Sequence, residues 1–159
     1  MSNVRFATLE DVARIAEILE SVDKLHADNL PDIFHGKNPY YPETRIKEIL
    51  EDEDDGTCFI VSINEQDEIT GVLVCWVDEW QDHDLFADCK KLWIETNCVA
   101  EQHRVKGYGK MLLDYAKAFA KEQECSRIVL NTYVFNKNAF EFYKSQGMEI
   151  SSYSMEYKL

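Results

Sequence analysis

Between Val99 and Lys110 the chain reads V-A-E-Q-H-R-V-K-G-Y-G-K, and no other stretch limits its fold so tightly. Upstream, Leu92 to Val99 has the composition of a strand. Downstream, from Gly109 to Gln123, Leu112, Tyr115, Ala116, Phe119 and Ala120 recur at helical spacing. A strand therefore enters a glycine turn and leaves it as a helix. Gly107 and Gly109 carry no Cβ to hold a ligand off the backbone, and glycine tolerates positive φ. The first N–H groups of the helix lack intrahelical partners and its dipole is positive at that end, so the turn favours phosphate oxygens. His103, Arg104, Lys106 and Lys110 lie in this segment with no carboxylate between His103 and Lys110, which stands out in a chain of formal net charge −13.

The remaining elements alternate. Val4 and Phe6 open a short strand, and Thr8 with Asp11 makes a capping-box-like start for a helix with a Val12, Ile15, Ala16, Leu19 stripe. Leu25 to Pro42 reads as irregular, and Thr44 to Leu50 as a second short helix. Cys58 to Ile63 and Ile69 to Val77 are β-rich runs joined by a polar turn, hence a hairpin. Arg127 to Phe135 is a further strand, Asn138 to Gln146 a short helix stopped by Gly147, and Ile150 to Leu159 an alternating closing strand. The order β, α, α, β, β, β, α, β, α, β predicts an α/β mixed sheet flanked by helices.

At 159 residues and 45% hydrophobic content, with no linker, repeat or low-complexity run, one domain spanning 1–159 is expected. Arg5, Glu10 and Asp11 occupy the N-terminal region in place of an apolar targeting core, and no apolar run approaches the roughly 18 residues of a membrane span. A soluble cytoplasmic protein without a membrane partner is expected. The five cysteines (Cys58, Cys75, Cys89, Cys98, Cys125) form no C-x-x-C pair and read as reduced core thiols. Asp82-His83-Asp84 has no second His at ligand spacing, so no metal is expected. The acidic balance argues against a nucleic-acid partner and suits cationic small molecules or basic peptides.

Which phosphate ligand the turn serves is narrowed by what it lacks. A mononucleotide P-loop needs a hydroxyl where Met111 follows Lys110, and a dinucleotide fingerprint needs Gly where Leu112 stands. The remaining pattern, Arg104-Val105-Lys106-Gly107-Tyr108-Gly109, resembles R/Q-x-x-G-x-G/A, the pyrophosphate-binding signature of the GCN5-related N-acetyltransferases (GNAT). A second segment, Asn136 to Met148, is similar to that family's N-x-x-A-x-x-F-Y-x-x-x-G-F motif and departs from it at Met148. Val105 replaces a frequent Gly of the first motif. The two motifs stand in the family's order, and the element pattern resembles its fold over nearly the whole chain.

The resemblance implies an acyl-CoA N-acyltransferase fold, with a mostly antiparallel central sheet whose fourth and fifth strands splay apart. It also implies transfer of the acetyl group of acetyl-CoA, as co-substrate, to a primary amine by direct attack. The coenzyme would be held by Asn97, Cys98 and Val99 on the splayed strand, by Arg104, Val105, Lys106, Gly107, Tyr108, Gly109 and Lys110 in the turn, and by Asn136, Lys137, Ala139 and Tyr143 beyond it. Tyr143 matches the family's general acid; a phenol near pKa 10 is a reasonable donor to a thiolate. Glu95, four residues before Val99, is similar in position to the Glu that serves through water as base in diamine acetyltransferases. Asp78, Glu79 and His83 are the reserve candidates for that role. Cys98 lies near the expected acetyl position, but no His is placed to activate it, so a small core residue is the expected reading.

For the acceptor, the loops Leu25 to Tyr41 and Asp78 to Lys91 carry aromatics among acids, which suits a cation held by carboxylates and ring faces. Phe34, Tyr41, Trp76, Trp80 and Glu95 are the residues expected around it, and a polyamine or aminoglycoside-like amine is the expected acceptor. Acetylation of a protein N-terminus or lysine, and a non-catalytic acyl-CoA-binding module, are the alternative readings. Relatives are often homodimers, which admits the same assembly here.

Overall fold

Phe59, Val61 and Ile63 alternate with Ile60 and Ser62, and because successive strand residues point to opposite faces, this one strand feeds two cores. A computed structural model of the protein, describing residues 3–159, shows how both are covered. Strand β1 (Asn3–Phe6) leads to helices α1 (Val12–Asn29) and α2 (Glu43–Glu51), followed by strands β2 (Cys58–Ile63), β3 (Ile69–Trp80) and β4 (Cys89–Val99). Helix α3 (Tyr108–Glu122), strand β5 (Arg127–Leu130) and helix α4 (Lys137–Ser145) complete the elements. Ile15, Ile18, Leu19 and Ile46 from α1 and α2 pack on Phe59, Val61, Val72 and Val74. On the other face, Leu112, Leu113, Ala116 and Ala120 of α3 cover Ile60, Leu73, Leu92 and Ile94. With helices on both sides, β2 and the first half of β3 are buried on both faces.

Among the described residues the sheet has the order β1-β2-β3-β4-β5. β1 to β4 pair antiparallel in succession, and β5 returns through α3 to lie parallel to β4. That parallel pairing joins Lys91–Ile94 to Arg127–Leu130 and goes no further, so the two strands part beyond Ile94 and Leu130. The chain enters α1 through the Thr8/Asp11 capping box, and Arg5 grips the Asp11 carboxylate with two hydrogen bonds of 2.6 and 3.0 Å. Buried Ser62 and Thr70 satisfy each other at 2.8 Å.

Gly71 of β3 is hemmed in by β4 and α3: a Cβ there would lie 2.8 Å from the Cys98 carbonyl oxygen and 3.1 Å from a Leu112 methyl. Gly71→Ala is therefore expected to cost about 1–3 kcal/mol by overpacking. Urea unfolding measures it, and an unchanged midpoint would show that β4 yields to the added methyl.

Three expectations need correction. α1 runs on to Asn29 and takes in residues expected to be irregular; the irregular connection is 30–42. β5 ends at Leu130 and does not reach Phe135, because β4 is no longer beside it to pair with. Residues 150–159 form no strand in the chain: they are exposed, and Lys158 meets Asp32 at 2.6 Å. Their alternation marks an amphipathic strand, but a strand also needs a neighbour. All five cysteines are free thiols, of which Cys75 is buried and the others half-buried.

Candidate active site

Glu95 owes its position to an irregularity in β4. Val74 faces Thr96 while the next residue, Cys75, faces Ile94, so Glu95 is an extra residue without a partner on β3. Such a β-bulge bends the strand and re-aims the side chain. It falls where β5 leaves β4, so half-buried Glu95 stands at the mouth of the splay. Tyr41, 54 residues away, donates its hydroxyl to Glu95 Oε2 at 2.5 Å. Tyr41 was expected on the acceptor wall; it is buried, its ring edge-on to Phe59 at 5.5 Å, with the Arg45 guanidinium 4.9 Å above it. Burial, with the hydrogen bond to Glu95 adding to it, holds the Tyr41 phenol well above its ordinary value, so it remains a donor at any physiological pH.

Tyr143 stands on α4, whose start is set by Asn136: its side-chain oxygen accepts the Ala139 N–H at 3.2 Å. Asn136 and the Ala139 amide are thus engaged with each other, while Lys137 is exposed beside them. Gly147, with φ +86°, follows the helix end in the left-handed conformation. The Tyr143 ring packs against Phe142 at 5.1 Å beside the α3-side core. Burial, with a smaller contribution from Cys98, pushes the Tyr143 phenol up to about 12. Burial also raises the Cys98 thiol, whose sulfur lies 3.8 Å from Ser21 Oγ, so Cys98 is not a thiolate nucleophile at neutral pH.

The turn has the open geometry of an anion cradle. The Ala100 N–H bonds the Thr70 carbonyl at 2.9 Å and Arg104 Nε bonds the Val99 carbonyl at 3.3 Å, tying both ends of the strand exit. Lys106 Nζ reaches the Gln102 carbonyl at 3.2 Å and Lys110 pairs with Asp114 one turn along α3. Gly107, at φ +89°, has nothing within 4 Å of where a Cβ would be. At Gly109 a Cβ would meet Val99 and Phe142 at ordinary contact distances of 3.6 and 3.8 Å. The protein's own packing therefore leaves the surface over Gly107 open, while Val99 and Phe142 pack beside Gly109. The N–H groups of Tyr108, Gly109 and Lys110 open α3 and have no carbonyl to bond within it. Asn97 Nδ2 donates to the Gly109 carbonyl at 3.0 Å, and Asn97 Oδ1 is buried without a partner among the described residues. An acceptor left bare beside free N–H groups fits a ligand carrying both amide and phosphate groups, as the pantetheine diphosphate arm of coenzyme A does.

Val105 holds φ +58°, a left-handed conformation that strains a β-branched residue, and its side chain is fully exposed. Val105→Gly relieves about 1–2 kcal/mol of that strain against about 0.5–1 kcal/mol of added unfolded-chain entropy. A gain of up to about 1.5 kcal/mol in unfolding free energy is the expected result. A loss of stability in denaturant titration would overturn the assignment of strain.

Of the residues expected around the acceptor, Tyr41 and Glu95 stand together, and the other three lie in three separate places. Trp76 stacks on Trp93 across β3 and β4 at 6.2 Å. Trp80 packs with Phe86 at 4.8 Å under the Lys91 ammonium, while Asp78 pairs with Lys91 at 3.1 Å. Phe34 lines a cavity of about 740 Å³ between α1 and the 30–42 connection, where Glu17, Glu20, Asp23 and Asp28 outnumber Lys24 and Lys37. Asp23 accepts the Tyr40 N–H at 2.8 Å, and the Tyr40 ring meets that of Tyr41 at 4.8 Å, so this acidic cavity adjoins the residues that hold Glu95. Among the described residues no group of three or more His, Cys, Asp or Glu is arranged to hold a metal ion. No described helix is long and apolar enough to cross a membrane.

A mixed sheet parting after its fourth strand, beside a glycine turn that opens a helix, defines a splayed α/β architecture with an anion-ready turn at the gap. The model of the acetyltransferase (GNAT) family matches residues 19–148, and the chain belongs to that family. It is similar to an uncharacterized N-acetyltransferase, YhdJ of Bacillus subtilis (strain 168), with 40% identity over 63 residues, which is 39% of this chain. The aligned part spans 44% of that relative's length. A crystal structure of a mutant BH1408 protein from Bacillus halodurans aligns over 99% of both chains with a TM-score of 0.92 and 25% identity. An aminoglycoside acetyltransferase, meta-AAC0020, from an uncultured soil sample, solved in complex with sisomicin, shares the fold with a TM-score of 0.69 at 17% identity, over 99% of this chain and 96% of its own.

Proposed function

We propose that this chain transfers the acetyl group of acetyl-CoA to the amine of a small cationic acceptor by direct attack, with Glu95 as base and Tyr143 as acid. The observation that carries the reading is the bulge that places Glu95 at the splay, held by Tyr41 and next to an acidic cavity. Bound acetyl-CoA supplies an acetyl thioester, whose C–S bond breaks as the C–N bond forms. Glu95 takes a proton from the acceptor ammonium, directly or through one water, and passes it to solvent, so that the amine is neutral when it attacks; the second proton leaves the nitrogen to water or to Glu95 as the C–N bond forms. Backbone N–H groups on the β5-facing side of β4, freed by the splay around Asn97 to Val99, are suited to stabilise the oxyanion. Tyr143 gives its proton to the departing sulfur, and buffer restores it. The raised Cys98 thiol supports direct attack over an acetyl-cysteine route.

The acidic residues Glu17, Glu20, Asp23 and Asp28 favour an acceptor with several positive charges. The soil aminoglycoside acetyltransferase of the same fold lends the same class of acceptor as a candidate. Thiol release from acetyl-CoA with polyamines, aminoglycosides, amino acids and short basic peptides tests this. Release with multiply charged small amines, falling as salt rises, is expected. Release with neutral amino acids or peptides alone would overturn the acceptor, and saturable acetyl-CoA binding without release for any amine would overturn the transferase reading.

A further inference from the structure

Cys58 and Cys75 stand directly opposite each other on the antiparallel strands β2 and β3. Opposed residues point to the same face, and their Cα atoms lie about 4.5–5.5 Å apart, inside the roughly 4.4–6.8 Å that a disulfide spans. Both side chains belong to the α3-side core, where Cys75 is fully buried and Cys58 packs half-buried at the margin. The two thiols are therefore unequal. Cys58 opens β2 just after the exposed turn 52–56, with its sulfur 3.7 Å from the Gly56 carbonyl oxygen, so a small reagent reaches it first. Hydrogen bonding with Cys75 lowers the Cys58 thiol, while hydrogen bonding and burial raise that of Cys75. In such a dithiol one sulfur attacks and the other resolves. No other cysteine is so paired: Cys89 faces Trp80 and Cys98 faces Val72 across the β3–β4 ladder, and Cys125 lies outside the strands.

We propose that Cys58 and Cys75 are a reversible modification site: exchange with a small-molecule disulfide joins them across β2 and β3, and the joined form shifts the bulge that aims Glu95. Cys58 gives up its proton, and its thiolate attacks one sulfur of the reagent RSSR, expelling RS⁻, which takes a proton from solvent. Cys75 then loses its proton and attacks the Cys58 sulfur of the mixed disulfide, expelling the second RS⁻. Two protein thiols are oxidised, one RSSR is reduced to two RSH, and excess RSH reverses both steps. The link to Glu95 lies in the register. Cys75 faces Ile94, the residue next to the extra Glu95, and β3 lies between β2 and β4. Closing the bond draws the two Cβ atoms together by about 1 Å. It therefore pulls β3 toward β2 and away from β4 at the bulge. On the reading that Glu95 is the base, a displacement of that size slows turnover; the disulfide itself does not rest on that reading.

Equilibration of the reduced full-length protein with mixtures of oxidised and reduced glutathione, followed by acid quench, alkylation and peptide mass mapping without reduction, tests the site. The five free thiols should fall by two as the mixture becomes oxidising, with a linked Cys58–Cys75 peptide, and should return with dithiothreitol. Cys58→Ser should keep its remaining thiols free, and Cys75→Ala should stop at one glutathione on Cys58. Five free thiols throughout, a link through Cys89, Cys98 or Cys125 in place of this pair, or a glutathione adduct on Cys58 that Cys75 leaves unresolved overturns the proposal. The unaltered protein carries these outcomes even if Cys75→Ala does not fold. Amide hydrogen exchange of Ile94 to Asn97 reads the bulge without reference to activity. Faster exchange in the oxidised form, absent in Cys58→Ser, is expected, and identical exchange in the two forms overturns the link to Glu95. Thiol release from acetyl-CoA, measured once glutathione is removed, should be about 10- to 100-fold slower in the oxidised form. Equal turnover with altered exchange would remove Glu95 as the base and leave the disulfide site standing.

Discussion

Tyr143→Phe is expected to lower turnover by about 10²- to 10³-fold while leaving acetyl-CoA affinity within a few-fold, since the ring keeps its packing and only the proton donor is lost. In the proposed reaction the hydroxyl is needed when sulfur departs, so the loss belongs in kcat and not in coenzyme binding. Steady-state kinetics beside equilibrium binding of CoA separate the two. Unchanged turnover would remove Tyr143 from the chemistry and leave its role as packing next to Phe142. The raised phenol also makes a stability prediction with a definite sign. The folded group holds its proton up to about 12, whereas the unfolded one loses it near pH 10. Its contribution to stability is therefore complete below about pH 10 and is lost as pH rises toward 12. The Phe variant should show a shallower alkaline decline, the part that Tyr41 contributes remaining.

Glu95→Gln is expected to cost about 10²- to 10⁴-fold in kcat/KM, because the amide keeps the shape of the side chain but takes no proton. Tyr41→Phe, which removes the 2.5 Å hydrogen bond, should cost about tenfold through loss of orientation. The decisive result is their combination: if Tyr41 acts through Glu95, its substitution should have little effect in the Gln background, so the two losses will not add. Additive losses would assign Tyr41 an independent role, and full activity in Glu95→Gln would return the search for the base to the loop carrying Glu79 and His83. Asp78 is the weaker alternative there because Lys91 already pairs with it.

The local features of this protein are readable without coordinates. The strand, glycine turn and helix around Gly107, the Thr8/Asp11 capping box, the Gly147 stop and the β2–β3 hairpin each follow from residues within one or two turns of each other. Their physical causes are equally local: missing Cβ atoms, a side-chain oxygen competing for a backbone N–H, and a period of 2 or 3.6 in apolar residues. The position of Glu95 on the strand is legible in the same way. What re-aims it is not, because a bulge exists only relative to a neighbouring strand; β4 has one residue more than β3 supplies partners for.

Tertiary structure alone brings Tyr41 to Glu95, since it depends on how the 30–42 connection crosses the sheet. It alone ends β5 at Leu130, because pairing stops where the neighbour diverges and not where β-forming residues run out. The segment 150–159 makes the same point from the other side. Its alternation, a property of the sequence, determines which face seeks cover, while the fold of the single chain decides that the cover is not at hand. Propensity and periodicity act within a segment and are written into it; hydrogen-bond partners, register and burial are relations between segments, and they come into being only when the chain is folded.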